Sequence, residues 1–193
     1  LYNSINESWV NIISYSNGEF FTDKYYLNPQ PLKQQYLLVD EKKILIPEGS
    51  HSMKEEKIKV YKDKMANELK GKYFLAKKEK EKGIFKTASG LLYEVITPGT
   101  GAKPNSTSKV KVHYEGSTID GKIFDSSYAR GEPIEFGLRQ VIKGWTEGLQ
   151  LMSPGSKYKF YIPQDLGYGS RGSGEKIPPY STLIFTVELI SFQ

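Results

Sequence analysis

One carboxylate of this chain invites a chemical reading before any other. Asp125, in Phe124-Asp125-Ser126-Ser127, is the acid set in an aromatic and apolar context. Acid–base catalysis by a carboxylate pair needs a second acid converging from another strand, and no such partner is evident, which argues against a dyad. Nucleophilic catalysis needs a base aligned with Ser or Cys. His113 alternates with Val112 and Tyr114, so it faces away from their side or caps a neighbour, and a catalytic role is not expected. The chain has no cysteine, which excludes disulfides, thiolate chemistry and thiol metal sites. Two histidines, His51 and His113, are too few for a histidine metal cluster. Gly167-Tyr168-Gly169-Ser170-Arg171-Gly172 formally matches G-x-G-x-x-G. That motif works only between a strand and a helix N-terminus, and Ser173 to Pro179 cannot start a helix, so the stretch is read as a mobile loop. What remains is a set of aromatics: Tyr114, Phe124, Phe136, Trp145, Tyr168 and Phe185. Taken singly, each is ordinary core.

These residues need elements to place them. Val110, Val112 and Tyr114 alternate with Lys111, His113 and Glu115, the grammar of a half-buried strand. Asp120-Gly121 then signals a two-residue hairpin, because Gly accepts the positive φ of a primed turn. Further strands are expected over 91–96, 109–114, 123–125, 157–163 and 182–192. Val141, Ile142, Trp145, Leu149 and Met152 share one face of a short helix that Pro154-Gly155 ends. Antiparallel strands with one helix across a single face make an α+β domain over residues 84–193.

The front half differs. Residues 1–51 are rich in Tyr and Asn, and their pattern suggests two hairpins, around Asn17-Gly18 and between Val39 and Ile44, with Asn28-Pro29-Gln30-Pro31 as a turn or linker. Residues 52–83 read as a long helix, opened by a Ser52/Glu55 capping box and closed by Gly83. Ile58, Tyr61, Met65, Leu69 and Ala76 mark an apolar stripe along it. The helix either pairs or spaces two copies of the chain, giving a homodimer through residues 1–83, or packs on residues 1–50 of the same chain. Residues 53–82 carry eleven lysines against six acids, the whole of the net charge of +5. Without arginine this reads as a solvated helix face, not a nucleic-acid surface. No run of about 18 apolar residues is present, so no membrane span is expected. The chain begins at Leu1 with no basic, apolar leader, and is read as a processed or shortened protein.

The series Val110–Gly116, Asp120-Gly121, Phe124–Ser127, Val141-Ile142-Lys143-Gly144-Trp145, Tyr168-Gly169, Ile177-Pro178-Pro179 and Leu183-Ile184-Phe185 resembles the FK506-binding-protein family of peptidyl-prolyl isomerases. It is most similar to the bacterial macrophage-infectivity-potentiator-like branch, and the resemblance covers roughly residues 84–193. It implies a half-open, curved antiparallel sheet of five or six strands wrapped around one short helix. It also implies that Tyr114, Phe124, Val141, Ile142, Trp145, Tyr168, Ile177 and Phe185 line a shallow apolar pocket floored by Trp145. Asp125, Tyr168, Phe124 and Trp145 would then carry catalysis, with Phe136 and Ile134 added to the substrate-binding residues. The Tyr168 hydroxyl and the Ile142 amide would donate to a bound carbonyl. Many family members carry an aromatic after Pro133; Ile134 stands here, which implies a smaller wall. Ser173 and Lys176 replace bulkier or apolar loop residues.

The expected activity is cis–trans isomerisation of X–Pro bonds in protein clients, with no cofactor and no metal. FK506- or rapamycin-type macrolides are expected ligands, and the branch implies a periplasmic or cell-surface location. The alternative is a chaperone or interaction module that holds proline-containing segments without turnover.

Overall fold

The computed structural model describes residues 9–16, 19–26, 35–39, 42–46 and 55–193. The Ser52 cap, the Asn17-Gly18 turn and the Asn28–Pro31 linker lie outside the described residues. The chain divides into two compact units, residues 1–62 and residues 63–193. In the first, β1 (Trp9–Ser16) pairs antiparallel with β2 (Glu19–Tyr26), and β3 (Gln35–Val39) with β4 (Lys42–Ile46). Both pairs match the hairpin pattern of the sequence. Helix α1 runs over Glu55–Lys78, with Lys77 and Lys78 in its last turn, where cations complement the free carbonyls.

The second unit is built on one open, curled antiparallel sheet. Its strands are β5 (Ile84–Lys86), β6 (Leu92–Thr97), β7 (Lys109–Thr118), β8 (Ile123–Ser126), β9 (Ile134–Gly137), β10 (Lys157–Ile162) and β11 (Leu183–Phe192). They lie in the order β5-β6-β10-β11-β7-β8, with β9 also paired to β7. The sheet therefore has seven strands, more than the five or six expected. The ones not expected are short, three residues in β5 and four in β9. Val110, Val112 and Tyr114 of β7 are buried, and so are Leu183, Phe185, Val187 and Leu189 of β11. These alternating side chains line the inner face.

Helix α3 (Lys143–Leu149) lies against that face and buries Trp145 and Leu149. It is seven residues long, shorter than the apolar pattern from Val141 to Met152 implied. Ile142 is extended (ψ 151°) and caps the helix from outside, while Met152 is buried beyond its end. Close approach is set by Gly144 and Gly148. A Cβ at these positions would stand 2.6 Å from Ile162 and 2.7 Å from Phe160. Only glycine lets the helix backbone sit directly on β10.

The β7–β8 connection corrects one expectation. Gly121 alone has positive φ (+79°), its N–H donates to the Thr118 carbonyl, and Thr118 N–H donates to the Lys122 carbonyl. Either primed two-residue turn needs positive φ at its first centre position, and Asp120 does not supply it. The loop is instead three residues long, with glycine in the left-handed position. Following β8, Ser126 caps the short helix α2 (Ser127–Arg130) by accepting from the Ala129 amide. That single turn, unforeseen in the sequence, delivers Arg130.

Candidate functional site

The inner face of the sheet and the chain either side of α3 enclose a cavity of about 890 Å³. Strand β7 supplies Tyr114, β8 supplies Phe124 and Asp125, β9 supplies Phe136, and β11 supplies Phe185. Val141 and Ile142 enter from the segment leading into α3, and Trp145 from its first turn. Tyr168 and Ile177 come from the long connection between β10 and β11. Ten of the eleven expected residues thus line one concavity. The exception is Ile134, which stands opposite Val112 in the β7–β9 ladder and packs against the core. Phe136, two residues on, occupies that side of the cavity.

Trp145 is 4% exposed and sits in a cage of edge-on rings. Tyr114, Phe136 and Phe185 approach its indole with centroids 5.1, 5.5 and 5.3 Å away and interplanar angles of 89°, 87° and 82°. This is the preferred geometry for aromatic quadrupoles. Phe124 extends the wall, packing edge-on to Phe185 at 5.4 Å. Gly116 makes that contact fit, since a Cβ there would lie 2.6 Å from both rings. The indole Nε1 is buried without a hydrogen-bond partner among the described residues.

One polar cluster borders these rings. The Tyr114 hydroxyl and the Arg130 guanidinium both donate to the Asp125 carboxylate, and Arg130 also reaches the Tyr114 oxygen at 3.1 Å. Burial alone would raise the Asp125 pKa. The hydrogen bonds from Tyr114 and Arg130 and the positive charge together outweigh it, and the carboxyl is held below its usual range. Tyr114 is pushed up to about 12, first by burial and then by its bond to Asp125. Tyr168 is raised by burial and, less, by the Asp125 charge.

Two donors are left over. The Tyr168 side chain is 38% exposed, and neither its hydroxyl nor the Ile142 N–H has a hydrogen-bond partner among the described residues. Unpaired donors bordering an apolar cleft are suited to a carbonyl that arrives with a ligand.

The lining also holds residues outside the eleven expected ones. Gln140, Gly174 and Glu175 complete the mouth, and Lys176 Nζ reaches 3.4 Å from the Phe124 carbonyl. Arg130 had a signal available: it lies five residues after Asp125, one short turn away. The stretch read as a mobile loop is tied internally. Ser173 and Ile177 exchange backbone hydrogen bonds of 2.8 and 3.2 Å after a 3-10 turn at Gly169–Arg171. No α-helix follows this stretch before β11.

A family model described as FKBP-type peptidyl-prolyl cis-trans isomerase matches residues 100–190. A second, described as the domain amino terminal to that isomerase, matches residues 30–95. FKBP-type peptidyl-prolyl cis-trans isomerase FkpA of Aeromonas hydrophila is 52% identical over 137 residues, 71% of this chain and 51% of that protein. Outer membrane protein MIP of Legionella longbeachae is 48% identical over 125 residues, 65% of this chain and 54% of that protein. The chain spans about half the length of these curated relatives. Among solved structures, the peptidyl-prolyl cis-trans isomerase of Pseudomonas syringae matches with TM-score 0.63 and 40% identity, over 67% of this chain and 95% of that one. FkpA from Escherichia coli matches with TM-score 0.68 and 47% identity, over 71% of this chain and 64% of that one.

Proposed function

This chain belongs to the FKBP-type peptidyl-prolyl cis-trans isomerases, and from that premise we propose that it rotates X–Pro bonds of polypeptide clients in the Trp145 cavity and so assists their folding. The observation that carries the proposal is the pairing of an aromatic floor with two unpartnered donors, Tyr168 OH and Ile142 N–H. A peptide bond resists rotation by about 18–20 kcal/mol because twisting breaks amide resonance. Left alone, a prolyl bond takes roughly 10–100 s to turn. No covalent bond forms or breaks, so neither nucleophile nor proton relay is required. The twisted amide has lost the charge separation of the planar one, and an apolar slot favours it relative to the well-solvated ground state. Each tenfold acceleration requires about 1.4 kcal/mol of that preference. The Tyr168 hydroxyl and the Ile142 amide hold the rotating carbonyl, and the Trp145 indole supports the proline ring. Phe124 and Asp125 define the wall and the polar edge, while Phe136, Val141, Ile177 and Phe185 complete the slot.

The same cleft is proposed to take FK506- and rapamycin-type macrolides. A prolyl-peptide assay with and without FK506 tests both statements. Macrolide-inhibitable turnover is the expected result. Binding without turnover would replace the enzyme by a module that only holds proline segments.

Two further expectations follow from this chemistry. Tyr168→Phe removes one donor and leaves the ring, so kcat/KM should fall by about three- to tenfold, the worth of an ordinary hydrogen bond. The pH–rate profile should be flat between about 6 and 9. Asp125 is held below its ordinary value, so its ionised-state contribution is present above about pH 3.9 and is lost only as pH falls through the lower folded value. Tyr114 is raised from 10.0 to about 12, so its neutral-state contribution persists below pH 10.0 and fades between there and 12. A bell centred near neutrality would show acid–base chemistry and overturn the mechanism.

A homodimer through residues 1–83 and a periplasmic or cell-surface location are also proposed. A relative named an outer membrane protein supports the location, and no helix among the described residues is long and apolar enough to cross a membrane. Light scattering should return about twice the 21.9 kDa chain mass; a monomer at micromolar concentration would remove the dimer.

A further inference from the structure

The wall of the cavity that carries Tyr168 and Ile177 belongs to no strand of the sheet. It is the connection from Pro163 to Thr182, and its position has to be fixed by other means. One tie is internal: the Tyr180 N–H donates to the Gly169 carbonyl at 2.8 Å, beside Tyr168. Tyr180 has φ +59° and, among the described residues, is the only non-glycine in the left-handed region. Such a conformation costs of order 1–3 kcal/mol and survives only where the surroundings over-determine it.

The surroundings here include helix α1. Asn67 Nδ2 donates to the Pro179 carbonyl at 2.6 Å and to Ser181 Oγ at 3.1 Å, on the two sides of Tyr180. Ser181, 6% exposed, donates in turn to the Pro178 carbonyl at 2.6 Å. Both amide hydrogens of one side chain are thus spent on the turn that leads out of Ile177. The helix seats closely at this point. Gly71, one turn after Asn67, faces Thr182, and a Cβ there would lie 2.3 Å from Thr182 Oγ1. Phe74, three residues further, meets the Tyr161 ring at 6.0 Å. Positions 67, 71 and 74 share one helix face.

We infer that Asn67 is a positioning residue: through Pro179 and Ser181 it holds the Tyr180 turn, and so sets where Tyr168 and Ile177 stand in the cavity. This rests on the isomerase reading for its kinetic consequence, though not for its structural one. The substrate meets Tyr168 and Ile177 directly and Asn67 not at all. Loosening the turn therefore weakens substrate capture more than it slows the bound amide.

The test uses the full chain and two readouts. In Asn67→Ala, amide hydrogen exchange at Tyr180 should quicken several-fold, while the β7 amides exchange as in wild type. KM for a prolyl tetrapeptide should rise about three- to tenfold, matching one ordinary hydrogen bond, with kcat within about twofold. Ser181→Ala should act in the same direction, and the double variant should be non-additive because the two side chains share a bond. Unchanged Tyr180 exchange in both single variants would overturn the inference, as would faster exchange with an unaltered KM in an active enzyme. A wild-type chain without any turnover would count against the isomerase reading alone, and Tyr180 exchange would then decide the role of Asn67.

Discussion

Trp145→Ala should lose prolyl isomerase activity by at least about tenfold and unfold well below the wild-type midpoint. Both losses have one cause. The indole is almost wholly buried, and three rings, Tyr114, Phe136 and Phe185, stand edge-on to it at 5.1–5.5 Å. Removing it leaves an aromatic-sized void, which typically costs about 3–5 kcal/mol when a buried Phe or Trp becomes Ala. It also removes the floor against which a proline ring would rest, so the twisted amide loses its apolar contact on one side. Stability and catalysis are separable by a second variant. Trp145→Phe keeps a ring and most of the volume, and should recover much of the stability while activity stays reduced. Thermal unfolding and a prolyl-peptide assay on the two proteins check this. If Trp145→Ala and Tyr168→Ala both turned over at the wild-type rate, the cavity would not be the site of isomerisation.

How much of this could be read from the residues alone depends on the range over which each signal acts. The strands of the sheet announced themselves because a period of two is local: Val110, Val112 and Tyr114 need no knowledge of their partners to be seen as one face. The aromatic lining was legible only by resemblance, since nothing in the spacing of Tyr114, Trp145 and Phe185 says that they meet. Tyr114 and Phe185 come together because β11 pairs with β7, a register between segments about seventy residues apart, and Trp145 reaches them from α3. Short elements were missed where three or four residues are too few for a period, as in β5, α2 and β9. Ile134 was misplaced for a related reason. It shares a face with Phe136, but the β7–β9 register sets it against Val112, two residues further along β7 than Val110, which pairs with Phe136. The expected primed turn failed because Asp-Gly serves two hairpin geometries, and the dipeptide does not choose between them. Asn67 had no signal at all. A polar residue on a lysine-rich helix looks solvent-facing until the tertiary fold brings Pro179 to it.

Asp125→Ala should be the second most damaging change at the site, lowering kcat/KM by about tenfold with a much smaller loss of stability. The carboxylate is the shared acceptor of the Tyr114 hydroxyl and the Arg130 guanidinium. The ion pair itself lies in the solvent-exposed class, with about two-fifths of each side chain accessible, and pairs of that kind contribute only about 0–1 kcal/mol. The damage arises instead through Tyr114, whose ring borders the indole and whose hydroxyl is left in a largely buried position without its acceptor. Such an orphaned polar group costs about 1–3 kcal/mol, and a shift of the phenol to find water would disturb the cage around Trp145. Asp125→Asn separates charge from shape, because its amide oxygen can still accept from Tyr114. It should retain more activity than the alanine variant and should lose the acid limb of the pH profile. Arg130→Ala, which leaves the Tyr114–Asp125 bond in place, should be milder still. The Tyr114 phenol supplies an independent readout. Its pKa of about 12 comes first from burial and next from the hydrogen bond to Asp125, so in Asp125→Ala it should fall part of the way back toward 10.0 as followed by NMR. A Tyr114 titration unmoved by Asp125→Ala, together with wild-type turnover, would mean that this carboxylate takes no part in holding the site together.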